Sequence, residues 1–428
     1  MPGKKANLDA GAAAHPEHIR MNSIALEGRS VIVAMCVGQL GSLLPHVVVP
    51  SILAAFLIPE WHLSGAQAGL LAGSGAAGYM LTVPVLATLT DRIDARKILM
   101  AGSALSALGT LLFGIFASGL WSGAVFNAVA GVGFAGAYMP GLKALTDRLA
   151  PGDSSRAVTL YTSSFSFGVG LSFLVAQLVA ENWGWRTAFL VTAIGPIVML
   201  SVCFVLRPVQ PKPAQGRLLD FAPVFRNTKA MGFVLGYGAH CFELYGIRTW
   251  LVAFWTFVTV KNGHSSVFTP IVVSVVFSLL AMPASIFGNE LALRFGRHRA
   301  ITAVMLSSAV VALLIGVFAD KSPWVLLPLI MVYAFTVPAD SGALTSGMTM
   351  AADPNYRGAT MAMHSTVGFS LSALGAWGLG VALDAAGGPL SSSAWTAAFS
   401  VLAAGILLGP VALYWSSARC YRGKCGEG

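Results

Sequence analysis

Twelve apolar runs, each about twenty residues or longer and separated by short charged or turn-rich gaps, constrain this sequence more than any other feature. They occupy residues 30–57, 66–89, 98–116, 121–145, 157–180 and 187–206, then 230–258, 267–287, 300–318, 324–346, 358–383 and 394–416. A run of that length crosses the hydrocarbon of a bilayer as a helix, with every backbone hydrogen bond satisfied inside the segment. Composition agrees. Only 10% of the residues are charged, too few to solvate a globular surface, and 56% are hydrophobic. The expected fold is an all-α integral membrane protein with twelve transmembrane helices in two six-helix halves.

The division into halves comes from the longest gap, which holds Pro208, Pro211, Pro213 and Gly216 and has linker composition. It predicts an N-tail over 1–29, a first half over 30–206, a linker over 207–229, a second half over 230–416 and a C-tail over 417–428. Basic residues predict orientation. With the N-terminus inside, 21 of the 26 Lys and Arg fall in cytoplasmic segments and three, Arg186, Lys261 and Lys321, in outer loops. That bias puts both termini in the cytoplasm. It also explains the net charge of +9 without nucleic acid, because the basic residues sit in short clusters between apolar runs. Cys36, Cys203 and Cys241 lie in apolar runs, and Cys420 and Cys425 in a basic tail, so no structural disulfide is expected. The polar first 28 residues carry no cleavable signal.

Several segments resemble the major facilitator family. Ala87-Thr-Leu-Thr-Asp91-Arg92-Ile-Asp94-Ala-Arg96-Lys97 is similar to its signature Gly-x-x-x-Asp-Arg-x-Gly-Arg-Arg. The corresponding loop of the second half, Gly288-Asn-Glu290-Leu-Ala-Leu-Arg294-Phe-Gly296-Arg297-His-Arg299, looks like its repeat. Trp185-Arg186-Thr-Ala-Phe189 resembles the entry to the sixth helix. The resemblance implies alternating access in an inner membrane, with Asp91, Arg92, Glu290 and Arg294 as gating charges that latch one state. It departs from the family at three places. The first loop has an extra residue and no glycine, and the fourth helix reads Asn127-Ala-Val-Ala-Gly131 without the arginine often tied to proton coupling. The fifth lacks the Gly-Pro element of drug antiporters. A fainter resemblance is to the major facilitator proteins of magnetosome membranes, which would imply iron transport.

Burying an ionisable group in a bilayer is costly, so each is a candidate for function. Away from the helix ends these are His46, Lys143, His240, Glu243, Arg248, Asp340 and His364. His240 and Glu243, three apart, share a helix face, whereas Arg248 is rotated from Glu243 by about 140°. Imidazole and carboxylate at similar depth suit a divalent metal, with His46, His240 and Glu243 as ligands and Cys241 and Asp340 as supplements. The same groups suit a proton relay, and Arg248 suits an anion. The reading leans to a proton-linked transporter of iron or another divalent ion, with a small organic or inorganic anion, or a non-transporting sensor or assembly role, as alternatives. Expected partners are the bilayer and a small solute. No cofactor, nucleotide motif or enzymatic constellation is present, and the oligomeric state is left open.

Overall fold

The computed structural model describes residues 28–149, 154–211, 220–263 and 268–421. The tail histidines His15 and His18, the linker residues Pro213 and Gly216, and Cys425 lie outside these ranges. Among the described residues ten helices are long and apolar enough to span a membrane: α2 (Gly65–Leu89), α3 (Ala95–Phe116), α4 (Leu120–Thr146), α5 (Ser154–Trp183), α6 (Trp185–Val205), α8 (Pro270–Phe295), α9 (Arg297–Val317), α10 (Pro323–Ala351, broken at Asp340), α11 (Arg357–Ala385) and α12 (Ser392–Tyr421). An eleventh, α1, is the bent pair Arg29–Leu43 and Val48–Trp61. The remaining helix, α7 (Thr228–Lys261), has 34 residues and so a length of about 50 Å, but His240, Glu243 and Arg248 dilute its apolar character. No strand occurs among the described residues.

Local chemistry places the ends. Ser64 closes a capping box at the start of α2: its Oγ accepts from Gln67 N at 3.2 Å, and Gln67 Oε1 accepts from Ser64 N at 3.0 Å. Asp94 caps α3 by accepting from Arg96 N at 3.0 Å. The run at 30–57 is not one rod. The chain leaves helical hydrogen bonding around Pro45 and resumes at Val48 with a 45° bend, because a proline has no N–H to give the ladder. His46 sits in that break.

Small residues set the packing of the first half. A Cβ on Gly131 of α4 would lie 1.9 Å from the Gly75 carbonyl oxygen of α2, so only glycine allows the backbones to touch there. Twelve spans in series put the first and last described helical residues, Arg29 and Tyr421, on one side, here called the terminal face. On the opposite, far face the two halves are in contact. Asp384, at the end of α11, accepts from the Gly65 and Ala66 backbone N–H groups of α2 at 2.6 and 2.8 Å. Gln177 Nε2 of α5 donates to Ser274 Oγ of α8 at 3.0 Å. Toward the terminal face a pocket lies between the halves, lined by Thr90, Asp91 and Lys143 from one half and Gly358, Met361 and Ser365 from the other.

Candidate functional site

Helices α1, α2, α3, α4, α7 and α11 line a central cavity between the halves. The break in α1 delivers His46 to its wall. The His46 ring packs on Phe134 at 4.9 Å and Phe165 at 5.6 Å, and its Nε2 lies 3.4 Å from the Tyr245 hydroxyl. Tyr79 of α2 stacks on Phe369 of α11 at 3.7 Å, so an aromatic pair bridges the halves at mid-depth. Arg248 of α7 enters from the second half, 3% exposed, with its guanidinium 5.6 Å from the Tyr245 ring centre.

Three lining residues hold polar atoms that are buried and have no hydrogen-bond partner: Arg248 at Nε and Nη1, Tyr79 at its hydroxyl and Ser42 at Oγ. Buried polar groups are otherwise almost always satisfied. Asn127, at the position where the arginine is missing, is by contrast occupied. Its Nδ2 donates to the Leu71 carbonyl and to Ser74 Oγ, each at 3.0 Å. No carboxylate lines the cavity, so the Arg248 charge has no counter-ion there.

The other expected ligands face elsewhere. His240 and Glu243 share a face of α7, as their spacing requires, but it points into the second half rather than the cavity. His240 Nδ1 lies 2.6 Å from Asp340 Oδ1 in the break of α10, an ion-pair contact off the line of a good hydrogen bond. Glu243 accepts at Oε1 from Ser308 Oγ of α9 at 2.8 Å and from the Tyr333 hydroxyl of α10 at 2.9 Å, leaving Oε2 unpartnered. His364 stacks on Tyr237 at 3.8 Å, with Nε2 3.4 Å from Thr345 Oγ1. Cys241 is a buried free thiol. The expected metal set of His46, His240 and Glu243 is therefore corrected. Among the described residues no three His, Cys, Asp or Glu side chains are placed to hold a metal ion, because residues at equal depth point in different directions.

The loop charges also pair differently from expectation. Among the described residues Asp91, Glu290 and Arg294 make no ion pair. Asp94 makes the contact instead, with Arg148 at 3.1 Å, and Arg92 is exposed. In the repeat loop Arg297 takes the structural part, donating to the Ala343 carbonyl at 2.9 Å and to Ser346 Oγ. Lys143 pairs with Asp147 at 3.2 Å at the terminal-face end of α4. Arg186 stacks on Trp185 and donates to the Gly114 and Ala117 carbonyls, capping α3.

The sequence model of the Major Facilitator Superfamily matches residues 35–376. A gentisate transporter of Corynebacterium glutamicum is 26% identical over 232 residues, covering 50% of this chain and 51% of that protein. A probable sphingolipid transporter, spinster homologue 1 of Arabidopsis thaliana, is 25% identical over 151 residues, covering 35% of this chain and 30% of that protein. The chain thus spans at most about half the length of these curated relatives. Among solved structures, a bacterial homologue of the human lysosomal transporter Spinster, inward-facing and occupied, superposes with a TM-score of 0.70 at 18% identity, covering 92% of this chain and 96% of that one. A peptide transporter superposes with a TM-score of 0.72 at 13% identity, covering 93% and 96%.

Proposed function

The chain belongs to the Major Facilitator Superfamily, whose members move small solutes across membranes, and from that premise we propose that it carries a small organic anion with a flat apolar body. The observation that carries this reading is Arg248: a guanidinium buried in the cavity between the halves with no counter-ion and two unpartnered donors. A carboxylate is the natural complement of that fork. The Tyr79, Phe134 and Phe369 rings suit a planar body, and the Tyr79 hydroxyl and Ser42 are free to read a polar substituent. The relationship to a gentisate transporter favours an organic anion over iron or another metal. The basic bias of the terminal-face loops supports placing that face in the cytoplasm of a bacterial inner membrane. On that placement the contacts of Asp384 with Gly65 and Ala66 close the outer side.

A proton-linked form of the proposal rests on the His240–Asp340 pair and Glu243. His240 and Glu243 lie on the helix that presents Arg248, one and a half turns or more away from it, and His240 meets Asp340 of α10. Protonation there would alter how α7 packs on α9 and α10, and so bear on the position of Arg248.

The test is uptake into proteoliposomes of aromatic and aliphatic carboxylates, against ferrous and manganous ions. Saturable uptake of an aromatic carboxylate is expected, with Arg248→Gln lowering it roughly tenfold to a hundredfold, the worth of a charge-assisted hydrogen bond. Metal uptake, or full anion uptake by a folded Arg248→Gln protein, would reject the reading.

A further inference from the structure

Helices α9 and α12 leave a groove on the bilayer-facing surface of the second half, well away from the cavity. It is open to the side, with walls made by Ala303, Leu306, Val411 and Tyr414. At its terminal-face end stand His298 and Arg299, and no carboxylate lines it. Arg299 is exposed and makes no ion pair among the described residues. His298 packs against the Phe233 ring at 5.1 Å. The groove therefore has one electrostatic sign at headgroup level and an apolar floor below it. From Arg299 to Leu306 is two turns, about 10 Å, the start of the acyl region. Val411 and Tyr414 are 63% and 77% exposed, a surface that only lipid can cover in a membrane.

We propose that this groove is a binding site for an anionic phospholipid, with the phosphate on Arg299 and His298 and one acyl chain along Leu306, Val411 and Tyr414. Charge complementarity selects the headgroup, since a basic residue at the membrane surface attracts anionic lipid by about 1 kcal/mol, roughly a fivefold preference each. The occupant is a lipid rather than a free phosphate because the apolar walls run into the bilayer, where an aqueous ion does not follow.

Native mass spectrometry on the full chain, released from bilayers of equal phosphatidylglycerol and phosphatidylcholine, tests this. One tightly retained phosphatidylglycerol is expected, with Arg299→Gln cutting its retention about fivefold and Arg299→Lys largely keeping it. Leu306→Trp, which fills the floor without touching the charges, should expel the lipid too. Equal retention of both lipids, or an unchanged Arg299→Gln protein, would overturn the proposal. So would displacement of the lipid by inorganic phosphate, which would leave only an anion site.

Discussion

Arg248 and Glu243 sit five residues apart on one helix and present opposite chemical problems. The arginine is buried with donors unused, whereas the glutamate is buried with one oxygen doubly served by Ser308 and Tyr333 and the other bare. A neutral glutamine at 243 keeps the shape and an acceptor but cannot exchange a proton. Glu243→Gln is therefore expected to fold and insert normally while its uptake loses its response to an imposed proton gradient. Proteoliposome flux with and without that gradient measures it, and an unaltered response would remove Glu243 from coupling. Both residues were legible in the sequence as ionisable groups far from any helix end. Their directions were not. A helix apolar all round has no 3.6-residue stripe to reveal which face meets the cavity, so His46, His240 and Glu243 read as one site when only His46 lines it. Tyr79 and Phe369 were invisible for a related reason: aromatics in apolar runs are everywhere, and only the fold stacks this pair.

At the scale of elements, the contact of α2 with α11 governs closure of the far face. A Cβ on Gly380 would lie 2.0 Å from the Gly65 carbonyl oxygen, and one on Gly65 would meet the Gly380 carbonyl at 2.6 Å. Asp384 then covers the start of α2, where unpaired N–H groups and the helix dipole favour a negative charge. Gly380→Ala should force these helices apart, and Asp384→Asn should loosen them. In both, a cysteine placed at the cavity residue Thr249 is expected to react faster with a membrane-impermeant maleimide added from the far side. Unchanged labelling in both variants would mean that closure is held elsewhere, for instance by Gln177 and Ser274. The spans themselves were readable from apolar run length, apart from the breaks in α1 at Pro45 and in α10 at Asp340. The inter-half contacts were not readable, because Asp384 and Gly65 lie 319 residues apart in sequence.

For the whole molecule, the charges at the root of the linker matter most. Burial works against the Asp94 carboxylate, but the Val209 and Arg96 N–H groups and the Arg148 guanidinium outweigh it and hold its pKa below the ordinary aspartate value. A depressed folded pKa means the stabilisation is fully present above the unfolded value of about 4 and is lost as pH falls through the folded one. Thermal unfolding in detergent should therefore show a loss of stability below about pH 4 that Asp94→Asn lacks. That variant should be less stable at neutral pH by roughly 1.5–3 kcal/mol. Parallel curves for the two proteins would contradict it. The same contacts bear on how far the halves can swing. Asp94 accepts from Val209 N at 2.9 Å and Arg148 donates to the Arg207 carbonyl at 2.8 Å, so the connecting chain is pinned to the first half until Val209. The root of the linker therefore moves with the first half, and the travel of one half against the other is metered where they touch, at the glycine seam between α2 and α11.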